Sequence, residues 1–532
     1  MAVDEESAET TPPVPADGPG PSTARHRRYG LHRWRRATQA LSVALFFALL
    51  TLTVWPLGGV FLGAFLAGDP LIALNSAVNG IVVWPLAAIA LTMITVPLVA
   101  GRVFCGWACP MGAVIEWTTP SRGSGRLSLR GRERLRALPT FVLIGSAAAL
   151  LFASGSFLLL DPLSTLTRSA TVLLYPLLDR VIRLLGDVLY LVPAIRPGVD
   201  VVTGWLDGRL VFTQPLAYAL SVATLAFFAS LLAASWIEPR MWCRDVCPLG
   251  ALLGLAGRFS LLGRHVDAEA CTSCGACAKA CPMDAVRDGF HATDTSRCEL
   301  GLECADACPV GAVSVGLRPR RELYTPERRT AVGFGGLALL VGFFTFTGLK
   351  RAEPDPALVR PPGALPEDAF LATCSRCGQC MKVCPTNVLQ PSVTAAGLEG
   401  VFTPQLDFRN GFCEWSCSEC GKVCPTGAIG RLELPAKRRT VIGRAYIDKN
   451  RCIPWADGKT CLVCQELCPV SPKAIAIDTA EVTTPLGTRV RLGRPQVIAE
   501  RCIGCGVCQH VCPVPDLAAI AVYNKRSGTR GA

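Results

Sequence analysis

Cys271-Thr272-Ser273-Cys274-Gly275-Ala276-Cys277-Ala278-Lys279-Ala280-Cys281-Pro282 spaces three cysteines evenly and sets a fourth against a proline. The same spacing returns at Cys374, Cys377, Cys380, Cys384 and at Cys502, Cys505, Cys508, Cys512, each time closed by proline. Three thiolates on one tight loop can cap three corners of a cube of iron and sulfide. The fourth, turned away by its proline, ligates the neighbouring cube. Zinc sites are built instead from two separated Cys-x2-Cys pairs and show no preference for a closing Cys-Pro.

The spacing therefore predicts α+β domains of bacterial-ferredoxin type that bind [4Fe–4S] clusters. Two further blocks vary it: Cys413, Cys417, Cys420, Cys424 and Cys452, Cys461, Cys464, Cys468, both ending in Cys-Pro. Their longer first gaps are loop insertions that still allow a cube. With the blocks at 374 and 502 they supply sixteen cysteines, enough for four clusters. The remaining block is defective, with Cys298, Cys304 and Cys308 but Gly301 where a second ligand would fall. If Cys281 and Cys308 cross over, one cube takes Cys271, Cys274, Cys277 and Cys308, and the other has only Cys281, Cys298 and Cys304. Three thiolates suit a [3Fe–4S] cluster, or a [4Fe–4S] cluster with one iron open to water or another ligand; loss of this cluster is the third reading. The expected set is about five [4Fe–4S] clusters and one three-cysteine cluster.

Two stretches outside these blocks repeat each other. Phe104-Cys105-Gly106-Trp107-Ala108-Cys109-Pro110-Met111-Gly112-Ala113 and Trp242-Cys243-Arg244-Asp245-Val246-Cys247-Pro248-Leu249-Gly250-Ala251 both run aromatic, Cys, three residues, Cys-Pro, apolar, Gly-Ala. The repetition predicts two units about a pseudo-twofold axis. Cysteines four apart share one face of a helix, so Cys105, Cys109, Cys243 and Cys247 together could hold a cluster or a copper ion. The alternatives are two buried turns using small polarisable side chains and a dithiol relay.

The chain has 532 residues, 27 cysteines, 5 histidines and a formal charge of +12. Such closely spaced thiols, odd in number, are ligand geometry and not a disulfide framework. A membrane span needs ~20 apolar residues. Windows of that kind fall at roughly 38–58, 80–101, 138–160, 215–237 and 331–349, which predicts an α-helical membrane bundle of about five spans. Residues 171–192 are apolar too, but Asp179, Arg180, Arg183 and Asp187 make them an amphipathic helix on the membrane surface. Arg25, Arg27, Arg28, Arg33, Arg35 and Arg36 precede the first window, and Arg122, Arg126, Arg130, Arg132, Arg134 and Arg136 follow the second. Basic clusters at span ends report orientation. They place Cys271–Cys308 in the cytoplasm and the later clusters on the outer, periplasmic face of a multi-pass cell-membrane protein. Without a recognition motif, the positive charge speaks for a membrane and against a nucleic-acid partner.

The expected domains are a disordered, basic-ended tail (1–36), a membrane domain with both Cys-x3-Cys-Pro repeats (37–264), a cytoplasmic ferredoxin-like domain (265–318), an anchor segment (319–351), a linker (352–366) and an outer-face domain of four clusters (367–532). No Cys-x2-Cys-His, no histidine inside a span and no nucleotide-binding glycine signature occur, so neither haem nor flavin is expected. His510 lies inside a cluster loop and is expected only to tune it.

On the two repeats and the ferredoxin block that follows, residues 30–318 resemble the NapH-type membrane ferredoxins of periplasmic nitrate reductase systems and the NosR-like proteins of nitrous oxide reductase maturation. Residues 320–525 resemble the NapG and MauM ferredoxins, on the 413–424 spacing and the long Cys452–Cys461 gap. Two usually separate subunits would be fused here. Glu327-Arg328-Arg329-Thr330 resembles the twin-arginine signal of the exported ferredoxin; its alternative is a positive-inside flank. The resemblance implies quinol oxidation and electron delivery to an exported reductase or cytochrome, and Gly301 departs from it. Trp107, Trp117 and Glu116 are candidate quinol-pocket residues. A ~30 Å hydrocarbon core would leave a gap between the clusters on its two faces. The alternatives are a maturation or repair factor that reduces a partner's metal centre, and a copper reductase built on the four repeat thiols.

Overall fold

The computed structural model describes residues 31–54, 66, 68–81, 84–119, 135–151, 154–206, 216–318, 336, 355–483 and 489–524. The first part is helical: α1 Leu31–Leu52, α2 Pro70–Val78, α3 Trp84–Ala100, α4 Val103–Trp107, α5 Pro110–Thr118, α6 Leu138–Leu151, α7 Pro162–Ser169, α8 Tyr175–Tyr190, α9 Arg196–Leu206, α10 Ser221–Ile237 and α11 Pro248–Gly257. The starts follow from local chemistry. Asp69 and Asp161 cap α2 and α7 by accepting from Leu71 N and Ser164 N, and a proline fills the first helical position of each. Cys109-Pro110 and Cys247-Pro248 put the second cysteine of each repeat at the capping position of α5 and α11 with proline first; Cys247 Sγ accepts from Gly250 N, while Cys109 makes no side-chain capping bond. α11 packs against α3 and α6, and α1 packs against α5. Phe46, Leu50, Leu66, Met111, Leu158 and Leu163 are buried among them.

The described residues do not support the predicted membrane bundle. Among the described residues no helix is long and apolar enough to cross a membrane. The windows contain enough apolar residues, but the described helices within them are short. α10 has 17 residues, and the described parts of α3 and α6 have 17 and 14. At about 1.5 Å per residue these fall short of a ~30 Å hydrocarbon core. Pro97 and the left-handed Gly101 (φ 63°) close α3. α1 has 22 residues, but Arg33, Arg35 and Arg36 occupy its first turns. The multi-pass placement, with residues 367–532 on an outer face, falls with the bundle. Asp179 and Arg183 pair at 3.1 Å within α8, the expected amphipathic helix, and Asp179 is fully buried. The fifth window lies outside the described residues apart from Gly336, as do residues 327–330 and the tail before residue 31, where α1 begins.

Two cysteine-rich units follow. In the first, β1 (Leu262–Val266) pairs antiparallel with β2 (Val313–Leu317) and brings the ends of the segment together. The second holds three such pairs: β3 (Leu389–Pro391) with β4 (Pro404–Leu406), β5 (Gly443–Ile447) with β8 (Ile520–Asn524), and β6 (Ile475–Thr483) with β7 (Arg489–Val497). Both units dock on the helices. Arg102 N donates to Cys298 O at 3.1 Å, and Trp107 Nε1 to Leu300 O at 3.3 Å. Asn75 Nδ2 donates to Ala372 O at 3.1 Å, Arg376 Nη1 to Gly155 O at 2.6 Å, and Asn387 Nδ2 to Ala217 O at 3.3 Å. Residues 355–366, expected as a linker, are packed: Leu358 and Val359 are buried and Leu365 N donates to Ala428 O at 3.0 Å.

Candidate iron–sulfur sites

The loops that carry the regular spacing share one backbone device. Gly275, Gly378 and Gly506, each just after the second cysteine, are left-handed with φ of 73°, 80° and 79°. Each opens a single helical turn, at Ala276–Ala280, Gln379–Lys382 and Val507–His510, that carries the third cysteine. Only a residue without Cβ takes that conformation at little cost. The turn folds the third thiol back toward the first two.

In the N-terminal unit Cys271, Cys274, Cys277 and Cys308 line one pocket, and Cys281, Cys298 and Cys304 line the next. In the C-terminal unit Cys452, Cys461, Cys464 and Cys512 line one pocket, and Cys468, Cys502, Cys505 and Cys508 another. Cys424 acts electrostatically on Cys374, Cys377 and Cys380, and Cys384 on Cys413, Cys417 and Cys420. The block at 374 therefore exchanges its last cysteine with the block at 413, and the block at 452 with the block at 502. That pairing could not be read from spacing. Cys413 N donates to Cys505 O at 2.9 Å, which joins the two pairs.

These residues fit iron–sulfur clusters. Burial pushes the thiols of Cys298, Cys377 and Cys413 up to about 12 and that of Cys505 up to about 11. Bare thiols so placed stay protonated, whereas coordination removes the proton outright. Donors already face the sulfurs: Ala285 N to Cys281 Sγ at 3.4 Å, Ile429 N to Cys424 Sγ at 3.4 Å and Arg264 Nη2 to Cys277 Sγ at 3.3 Å. Among the described residues no group of His, Cys, Asp or Glu is set to hold a single metal ion. The cysteines stand instead around pocket walls, as ligands to a many-atom cluster do.

The two repeats come together. Cys105, Cys109, Cys243 and Cys247 are all buried. The thiols of Cys105 and Cys243 act on Cys109 and Cys247, so the four form one group. The pseudo-twofold equivalence extends to the backbone. A Cβ at Gly112 would lie 2.5 Å from Cys105 O, and one at Gly250 would lie 2.8 Å from Cys243 O. Each helix thus starts directly over the carbonyl of its own first cysteine, which explains the glycine in both repeats. Gly112→Ala or Gly250→Ala is expected to separate the thiol pairs and cost about 1–3 kcal/mol, the penalty of overpacking. Thermal unfolding of each variant checks it.

The quartet stands between the two cysteine-rich units. On one side Glu299 acts on Cys243. On the other Asp161 acts on Cys247, and Arg168 feels both Asp161 and Cys377. Asp161 and Asp69 act on one another and both are fully buried, with Asp69 Oδ2 and Asp161 Oδ1 making no hydrogen bond among the described residues. Burial raises both carboxyls above their ordinary values. Arg102 is buried against the quartet, with Nη2 donating to Cys243 O at 2.5 Å. Arg264 bridges the first two pockets, bonded to Cys277 and acting on Cys304.

Five charged residues lock the N-terminal unit to the helices. Arg35 pairs with Glu116 at 2.7 Å, Glu299 at 3.4 Å and Glu303; Arg240 pairs with Glu116 and Glu299. Burial alone would push the Glu116 carboxyl up, but Arg240 and Arg35 hold it below its ordinary value. Of the candidate quinol-pocket residues, then, Glu116 is engaged in this network, Trp107 donates to Leu300 O, and Trp117 Nε1 donates to Gln39 Oε1 at 3.3 Å. His510 Nδ1 lies 3.3 Å from Arg409 O. Asp69, Asp161, Arg102 and Arg240 escaped the sequence reading. The two aspartates had a signal in the Asp-Pro that opens each helix; Arg102 and Arg240 are single arginines between apolar stretches and had none.

Family models describing a 4Fe-4S binding domain match residues 82–128 and 220–267, one over each repeat, and residues 264–287 and 495–515. A 4Fe-4S dicluster domain matches residues 373–428. The ferredoxin-type protein MauM of methylamine utilization from Methylorubrum extorquens is 37% identical over 40% of this chain and 92% of its own length. The ferredoxin-type protein NapG of Escherichia coli is 35% identical over 36% of this chain and 80% of its own length. MauN of Paracoccus denitrificans is 28% identical over 49% of this chain and 80% of its own length. No solved structure matches the chain. The cysteine pockets and these relatives agree, and the chain belongs to the MauM and NapG family of ferredoxin-type proteins, which carry electrons on several iron–sulfur clusters.

Proposed function

We propose that the chain passes electrons one at a time from a quinol to a partner reductase, through six ferredoxin-type clusters and a seventh site at the four repeat thiols. One observation carries this reading: the quartet of Cys105, Cys109, Cys243 and Cys247 sits between the two cysteine-rich units, with Glu299 and Asp161 on its two flanks. When bound, the clusters supply one-electron redox chemistry. Each repeat contributes two thiols, and each falls within a stretch similar to a 4Fe-4S binding domain, which favours a cluster over copper there.

The chain's own residues hold, space and insulate the carriers. Cys271, Cys274, Cys277 and Cys308 hold the outermost one, with Cys274 exposed. Cys374, Cys377, Cys380 and Cys424 hold the first one beyond the quartet. A quinol that gives up two electrons also gives up two protons. The Asp69–Asp161 pair, buried on the Cys247 side of the quartet, can accept one of them.

Anaerobic mixing with a quinol tests the proposal by visible bleaching. The expected result is bleaching approaching that produced by dithionite, slowed in Asp161→Asn while dithionite bleaching stays unchanged. Bleaching by dithionite but by no quinol would remove the quinol as donor.

A further inference from the structure

We propose that Glu303 supplies, through Oε2, the fourth ligand to the cluster held by Cys281, Cys298 and Cys304. The inference rests on the iron–sulfur reading and goes beyond it, to an oxygen ligand where the sequence offers only three thiols.

Position 301 keeps the backbone of a ligand position. Leu302 is left-handed, with φ of 67°, like Gly275 after Cys274, and opens the short helix Glu303–Asp306 that carries Cys304. The run Gly301-Leu302-Glu303-Cys304 therefore superposes in role on Cys274-Gly275-Ala276-Cys277, with Gly301 where the second thiol would be. A bulky residue holding φ above zero is costly. Its retention means that the loop still bends as it does around a cluster.

The space that a side chain at 301 would enter is already taken. A Cβ there would run into Oε2 of Glu303 and approach Arg35 Nη1 at 2.9 Å. The carboxylate thus stands where a cysteine side chain would begin. Glu303, Glu299, Cys281, Cys298 and Cys304 all line the same pocket. Glu299 is spoken for, because its Oε1 faces Arg35 and its Oε2 pairs with Arg240. Glu303 commits only Oε1, to Arg35. Arg35 fixes the carboxylate by one oxygen and leaves the other directed at the open corner. Carboxylate oxygen is an accepted ligand for iron, and a bond through Oε2 needs no redox step.

Iron and acid-labile sulfide analysis with EPR on anaerobic full-length protein tests this. The wild type is expected to hold four irons at this site, without the signal of an oxidised three-iron centre. Glu303→Gln, which keeps an oxygen for Arg35, is expected to lose about one iron per chain as Fe2+ and to show the three-iron signal once the remaining centre is oxidised by one electron with thionin. Gly301→Cys combined with Glu303→Ala is expected to restore the fourth iron through a thiolate. A wild type that already shows the three-iron signal at full intensity would overturn the assignment, as would Glu303→Gln with unchanged iron. Protein lacking acid-labile sulfide altogether would overturn the iron–sulfur reading itself, a different outcome from the loss of one iron.

Discussion

Cys243→Ala is expected to leave all six ferredoxin-type sites loaded and to stop electron exchange between the two ends of the molecule. The reason is placement. Cys243 belongs to the quartet that lies between the cysteine-rich units, and it contributes to none of the six other cysteine sets. Tunnelling falls steeply with distance, so removing one intermediate carrier slows transfer by orders of magnitude while both sides remain reducible. Freeze-quenched EPR after a substoichiometric pulse of reductant follows how electrons redistribute between the N-terminal and C-terminal clusters. In the wild type redistribution should finish early, and in Cys243→Ala it should lag far behind. Cys274→Ala is the control, because Cys274 is an exposed ligand of the outermost pocket and no electron crossing between the units passes through it. An unchanged redistribution rate in Cys243→Ala would remove the quartet from the path.

The largest stability effect is expected at Arg240. Its side chain is buried and pairs with both Glu116 and Glu299, and its backbone adopts a left-handed φ of 53°. Arg240→Met leaves these carboxylates facing Arg35, with Gln39 Nε2 still donating to Glu116 at 2.7 Å. Breaking a buried pair on one side costs about 3–5 kcal/mol, chiefly because the abandoned charges remain buried. Since Glu299 and Glu303 belong to the Cys298–Cys304 loop, this loop and its cluster should be lost first on heating. The double variant Arg240→Met with Glu116→Gln should be less destabilised than the sum of the singles, because it abandons one charge fewer. Thermal unfolding followed at cluster and protein wavelengths separates the two losses. A change within about 0.5 kcal/mol, as at an ordinary surface site, would contradict the network's role.

The candidate loops were legible in the cysteine spacing, since three cysteines of each set lie close in sequence and the shape of the loop between them is local. The spacing raised a crossover of Cys281 and Cys308 as a condition, and these two cysteines line different pockets of the N-terminal pair. It did not decide which C-terminal blocks pair, because that depends on strands such as β5 and β8 meeting across most of the unit. The apolar windows misled for a similar reason. Hydropathy counts residues in a row, whereas Gly101 and the capping Asp161 end or restart helices within or beside those rows. Arg35 looked like a positive flank to an apolar run. Its partners Glu116, Glu299 and Glu303 are 81, 264 and 268 residues away, a distance no local pattern spans. The Gly301 gap was visible in the sequence, but the carboxylate that fills it becomes visible only once Leu302 turns the chain.

Metal and acid-labile sulfide analysis of anaerobically purified protein tests the central claim most directly. Clusters at these cysteines require iron and sulfide in near-equal amounts, roughly four of each for every cysteine set, with a brown colour that dithionite bleaches. Colourless protein whose thiols are joined to one another, or hold zinc without sulfide, would contradict it.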